Sequence, residues 1–366
     1  MIPKLIFDAH LDISWNALDF NRDQRWSLER IRRRELGMTG KGVGRNTVCF
    51  PELRRGNIGL CVATQLARYL PYFSRTPLQG HFAGYFSPEQ AWAATQGQLA
   101  WYREMEAQGE MVQIRNRAQL EKHLQLWLKA GAGAKQKLPI GYILSLEGAD
   151  SIVTFRHLEK SHDDGLRALG PVHYGPGVYG HGTDDEGPLT ARGRELLKQM
   201  ERLGIILDAT HLCDDSFWDA MKRFEGPVWA SHSNCRALAN WNRQFDDEQI
   251  KELIGRGAVI GMVFDAVMMV HGWAPGRSQP QDFGLKIEKI CEHIDHICQL
   301  AGNARHVGIG TDLDGGFGNE QTPMNLDSIA DIATLAPLLS ARGYSAEDIE
   351  GILQGNFLRF LRENLG

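Results

Sequence analysis

Short apolar runs recur along the chain at 4–8, 58–66 (IGLCVATQL), 140–146 (IGYILSL), 166–172 (LRALGPV), 204–209 (GIILDA), 227–230 (PVWA), 257–263 (GAVIGMV) and 306–310 (HVGIG). Their length and β-branched content predict buried strands. Helical patterns separate them, at 88–107, 117–130, 190–203, 214–224, 247–255 and 283–301. Ser87-Pro88-Glu89 reads as a cap followed by proline at the first helical position, and TARGRELLKQMERLG carries leucines at helical spacing before a glycine stop.

Strand followed by helix, repeated, predicts α/β architecture with parallel strands, and eight such strands predict a TIM-like (β/α)8 barrel. The patterns at 88–107 and 117–130 form a long helical excursion between strands two and three, and residues 1–366 read as a single barrel domain. An open doubly wound sheet is the alternative. No GxGxxG follows the first strand, however, and the glycine runs at 131–134 and 315–318 lack the rest of a nucleotide fingerprint.

Composition narrows the partners. Of the 366 residues 43% are hydrophobic, and the net charge is −5 with lysine and arginine spread along the chain, so no concentrated basic footprint for nucleic acid or an anionic membrane emerges. No apolar run approaches the roughly 20 residues that span a bilayer, and Asp8, His10 and Asp12 interrupt the start where a secretory signal needs its apolar region. The expectation is a cytoplasmic protein. The 6 cysteines include no CxxC pair and make no disulfide scaffold; Cys291 and Cys298 read as buried thiols.

Charge and imidazole fall where the apolar runs end. His10 and Asp12 follow the first run, Glu147 the third, His173 the fourth, His211 the fifth, His232 the sixth and Asp312 the eighth. In a barrel these positions converge on the C-terminal face, where loops build active sites. Residues i and i+2 of an extended segment point to one side, so His10 and Asp12 aim nitrogen and oxygen at one ion. Glu147 is placed to bridge to a second ion, whose shell His211 and His232 complete, and mixed nitrogen and oxygen donors suit zinc. Each residue alone also has a plainer reading as a turn, a cap or a loop histidine bonded to backbone; their shared placement favours a binuclear metal centre with a bridging hydroxide. Asp312 could transfer a proton and Asp314 could stabilise the glycine-rich turn. Arg243 could hold a substrate carboxylate, or pair with Asp246 or Asp247. Cys213 and Cys235 could offer thiolate or simply pack. His81, His123, His157, His162, His181, His271, His293, His296 and His306 lack the common pattern.

The ordered segments DAHLD, LEGAD, GPVHYG, DATH, SHSNCRAL, GIGTDLDGG and GILQGNFLRF, spread over nearly the whole chain, resemble the membrane dipeptidase (renal dipeptidase) family of zinc peptidases in the amidohydrolase superfamily. The resemblance implies a barrel with two zinc ions per chain at its C-terminal mouth and a bridging hydroxide that attacks a peptide carbonyl. It implies His10 and Asp12 as ligands of one zinc, His211 and His232 of the other, and Glu147 as the bridge. It further implies that His173 stabilises the oxyanion, Arg243 receives the substrate's terminal carboxylate and Asp312 transfers the proton. A homodimer is the expected assembly.

Departures from the family pattern bear on substrate preference. Gln244 follows Arg243 where the family commonly has asparagine, and Val263 and Asp265 lie near positions where mammalian members have asparagine and tyrosine. The leading expectation is a dipeptidase acting on free-acid dipeptides, including those with a C-terminal D residue. The alternatives are a metal-dependent deacylase of N-acyl amino acids and an inactive barrel acting as a binding protein.

Overall fold

A computed structural model describes residues 4–70 and 84–366; His81 lies outside them. The strands are β1 (Ile6–Leu11), β2 (Ile58–Leu66), β3 (Met111–Gln113), β4 (Ile140–Glu147), β5 (Leu166–Gly170), β6 (Ile206–Asp208), β7 (Val228–Trp229), β8 (Ile260–Met262) and β9 (Val307–Ile309). Pairing is parallel in the order β7-β6-β5-β4-β2-β1-β9-β8. A parallel bridge between Ala230 and Ile260 links the two ends, with the Gly261 amide donating to the Ala230 carbonyl at 2.9 Å. Eight parallel strands therefore form a nearly closed TIM-like barrel. Every residue of β2 and β4 is buried, because one face meets the barrel interior and the other meets helices.

β3 is the strand that periodicity does not reveal. It pairs with β4 from Ile140 to Tyr142, and β5 takes over from Leu144, so β3 fills the lower part of a gap that β5 is too short to cover. It lies inside the excursion, between the helices Pro88–Ala107 and Arg117–Lys129, both close to expectation. Ser87 and Asn116 cap these helices, accepting from Gln90 N at 3.2 Å and Gln119 N at 3.0 Å.

Several elements differ in extent from the sequence reading. The fourth expected strand stops at Gly170, since Pro171 offers no amide to the ladder. The helix expected over 283–301 begins at Ile290, preceded by tight turns at Pro280–Phe283 and Ile287–Lys289 and broken at Gly284, whose φ is +54°. The polar stretch after β1 holds the short helices Ile13–Asp19, Leu28–Arg34 and Phe50–Arg55.

The C-terminal helix Asn356–Asn364 packs against β1 and β9. Phe357 stacks 5.1 Å from Phe7, and the Asn356 amide donates to the carbonyls of Ala304 and Val307, both at 2.7 Å. At the barrel seam Ser231 O lies so close to β8 and β9 that a Cβ at Gly261 or Gly310 would stand 1.9 Å or 1.8 Å from it. Backbone cannot yield as a flexible side chain can. Gly310→Ala should therefore lower stability by roughly 1–3 kcal/mol or more, read as a lower denaturant midpoint at unchanged m-value; an unchanged midpoint would contradict this account of the seam.

Candidate metal centre

His10 is in β1, Asp12 follows it, and Glu147 is the last residue of β4. His173, His211, His232 and Asp312 each stand 3 residues beyond the ends of β5, β6, β7 and β9. The parallel strands thus deliver all seven to one rim. His211 and Asp312 adopt left-handed backbone, with φ of +69° and +57°, a strain of roughly 1–3 kcal/mol each that such sites commonly hold.

Glu147 occupies the middle. Its Oε2 lies 3.6 Å from His10 Nε2, while its Oε1 lies 3.0 Å from His211 Nε2 and 3.4 Å from His232 Nε2. Asp12 Oδ2 is 3.7 Å from His10 Nε2. Donor atoms of His10, Asp12 and Glu147 lie within 4.8 Å of one another, as do those of Glu147, His211 and His232. A third such group joins His10, His232 and Asp312. The fit to cations shows in the histidines themselves: His10 Nε2 and His232 Nε2 are buried at the centre without a hydrogen-bond partner among the described residues. Two nitrogen and oxygen donor sets sharing one carboxylate make a binuclear zinc-type centre.

The surrounding groups hold the donors in place. Asp8 accepts from the amides of His10 (3.1 Å) and Thr311 (2.9 Å) and from the Thr311 hydroxyl (2.6 Å), joining β1 to the loop that carries Asp312. Asp208 does the same between β6 and β7, accepting from the amides of Thr210 (3.1 Å) and Ser231 (3.0 Å). The Thr64 hydroxyl donates to Asp12 Oδ1, leaving Oδ2 to face the centre. Thr183 Oγ1 meets His211 Nδ1 at 2.9 Å and Ser231 Oγ meets His232 Nδ1 at 2.8 Å, so both rings turn Nε2 inward. Sequence reasoning passed over Asp8, Asp208, Thr64, Thr183 and Ser231. The Asp-Ala pair shared by DAH at 8–10 and DATH at 208–211 is a sequence signal that would have singled out the two aspartates.

Burial dominates the electrostatics. It pushes the imidazoles of His211, His232 and His173 well below their ordinary range, reinforced by nearby cationic groups including Arg243, which leaves them neutral donors. Burial also depresses His10, but Glu147 and Asp12 outweigh it and hold that ring well above the usual value. The carboxyls of Glu147 and Asp312 are raised, first by burial and then by neighbouring carboxylates, against the opposing pull of His10.

Arg243 corrects one of its two sequence readings: neither Asp246 nor Asp247 is its partner. Asp246 caps the helix Asp247–Gly255 and lies 3.9 Å from Arg236, while Asp247 pairs with His296 at 2.7 Å. Arg243 instead donates from Nη2 to the His232 carbonyl at 3.0 Å, with Nη1 buried and unpartnered among the described residues. His173 reaches Glu147 Oε1 at 3.7 Å. Asp314 accepts from Thr47 N and Oγ1 at 2.7 and 2.8 Å and from Val48 N at 3.0 Å, anchoring the 47–48 segment. Cys213 and Cys235 donate to carbonyls of Gly187 and His293 and stand apart from the three donor groups. Gln244 holds the carbonyls of Cys235 and Ala239, and Asp265 accepts from Val267 N and Gln321 Nε2.

A parallel barrel that gathers histidine and carboxylate donors at its C-terminal rim defines a barrel protein with a metal centre where such folds carry their active sites. Residues 4–365 match the model for "Membrane dipeptidase (Peptidase family M19)", and the chain belongs to that family. Family and donor sets together support dipeptidase-type metallo-hydrolytic chemistry. A Klebsiella pneumoniae protein from the region 5' of pqqA is 32% identical over 215 residues, covering 57% of this chain and 75% of that one. An uncharacterised dipeptidase of Schizosaccharomyces pombe is 27% identical over 237 residues, 62% of this chain and 54% of its own length. Among solved structures, a metallopeptidase of Rhodobacter sphaeroides liganded with a phosphinate mimic of the dipeptide L-Ala-D-Ala superposes with a TM-score of 0.73 at 24% identity, covering 99% of each chain. The M19 dipeptidase AC superposes with a TM-score of 0.77, also at 24% identity and 99% coverage of each chain.

Metal analysis of protein purified without chelator should give two zinc ions per chain. Because the ions bind the folded centre, chelation should lower the melting temperature, by the equivalent of about 2.7 kcal/mol for a ligand held at 100 times its Kd. A chain that takes up no zinc and melts identically with and without chelator would contradict the centre.

Proposed function

We propose that this chain is a zinc-dependent dipeptidase acting on free-acid dipeptides, including those with a C-terminal D residue. The observation that carries the reading is Arg243, 4% exposed beside the donor groups, with Nη1 lacking a hydrogen-bond partner among the described residues. A buried guanidinium nitrogen without a hydrogen-bond acceptor is costly, and a planar two-pronged anion is the partner its geometry fits. The terminal carboxylate of a short substrate supplies one.

In this reading His10 and Asp12 would hold one zinc, His211 and His232 the other, and Glu147 would serve both. The ions, when bound, supply Lewis-acid polarisation of the scissile carbonyl and an activated water as nucleophile. Arg243 fixes the substrate's C-terminal carboxylate, so that the residue after the scissile bond is the last. His173, neutral and 3.7 Å from Glu147, donates to the oxygen on which negative charge develops. Asp312, 3.8 Å from His10 Nε2, accepts the proton of the attacking water and returns it to the departing amine. The L-Ala-D-Ala mimic held by the Rhodobacter relative is the reason to include L,D dipeptides. Residues 1–366 are read as one barrel domain. A homodimer, supported by the family resemblance, and a cytoplasmic location belong to the same proposal; among the described residues no helix is long and apolar enough to cross a membrane.

A panel of L,L and L,D dipeptides, their C-terminal amides, tripeptides and N-acyl amino acids, assayed with zinc, tests the substrate. Free-acid dipeptides should exceed their amides in kcat/KM by roughly 10- to 100-fold, the worth of hydrogen bonds to a charged group. Equal turnover of acids and amides would reject the Arg243 clamp, and best turnover on N-acyl amino acids would make the enzyme a deacylase. Asp312→Asn nearly conserves volume and should cut kcat by about 100- to 10,000-fold with both ions retained. Near-normal kcat would remove Asp312 from proton transfer, and loss of an ion would make it a ligand.

A further inference from the structure

We infer that Ser231 is a positioning residue shared by the two metal shells, its hydroxyl fixing the ring of one ligand from each. The inference rests on the binuclear reading above. The fully buried Ser231 Oγ lies 2.8 Å from His232 Nδ1 and 3.5 Å from His10 Nδ1. Those two rings stack with centroids 3.6 Å apart and planes 36° apart, so one hydroxyl reaches both. Thr183, by contrast, serves His211 alone, at 2.9 Å from Nδ1.

Tautomer chemistry sets the direction of each bond. A neutral imidazole that gives Nε2 to a cation keeps its proton on Nδ1 and needs an acceptor there. A serine oxygen has two lone pairs and one proton. Ser231 accepts from both rings and turns its own proton to Thr210 Oγ1, 3.4 Å away. The backbone holds the oxygen in place: the Ser231 amide donates to Asp208 Oδ1 at 3.0 Å, and its carbonyl is wedged against Gly261 and Gly310. Loss of the hydroxyl frees His10 and His232 together, although they belong to different shells.

The test compares Ser231→Ala, Ser231→Thr and Thr183→Ala with the parent chain by zinc competition against a chromophoric chelator, with circular dichroism of each metal-free protein as the fold control. Two ions in the parent chain test the centre itself, separately from this inference. Ser231→Ala should weaken both ions, by roughly 10- to 100-fold each, the usual effect of removing a group that orients a ligand. Thr183→Ala should weaken only one, and Ser231→Thr, which keeps the hydroxyl, should retain more affinity for both than Ser231→Ala. Parent-like binding of both ions by Ser231→Ala, weakening of one ion alone, or equal impairment of the alanine and threonine variants would each overturn the shared role.

Discussion

Glu147 is a buried carboxylate placed between two sets of donors, and most of the structure can be understood as the means of keeping it there. One oxygen faces His10, the other His211 and His232. A carboxylate taken out of water costs several kcal/mol even after relaxation, and Asp12 and Asp312 add further acidic groups to the same rim. Burial raises Glu147 and Asp312 for this reason. Divalent cations reverse the balance, turning mutual repulsion into shared ligation. The arrangement is therefore poorly suited to stability alone and well suited to metal.

Holding donors from several strand ends within a few ångströms requires the strand ends themselves to be fixed. Asp8 and Asp208 do this at two places in the ring, each tying its own strand to the loop that follows the neighbouring one. The seam between β7 and β8 does it at a third, where glycines let Ser231 O approach the backbone. Hydroxyls then set the orientation of the donor groups: Thr64 for the Asp12 carboxylate, Thr183 for the His211 ring and Ser231 for the His232 ring. The strained backbone at His211 and Asp312 is tolerated within this over-determined rim.

The sequence shows part of this plainly. Eight buried strands announce themselves as apolar runs, and His10, Asp12, Glu147, His211 and His232 stand out because packing gives no reason for charge or imidazole at the end of such a run. β3 stays hidden because its 3 residues are too few to show a period, and it exists to fill an edge of β4 that β5 leaves open. The supporting hydroxyls stay hidden for another reason: the partner of a threonine or serine is chosen by tertiary contacts between distant strands. Asp246 and Asp247 lie so near Arg243 in sequence that a local pair was a fair expectation. Capping of a helix by Asp246 and pairing of Asp247 with His296 take both away.

Anomalous diffraction at the zinc edge from crystals grown with zinc bears most directly on the central claim, that Glu147 joins two ions. The account predicts two peaks per chain, one among His10, Asp12 and Glu147 Oε2, the other among Glu147 Oε1, His211 and His232. A single peak at full occupancy, or two peaks of which Glu147 contacts only one, would contradict it.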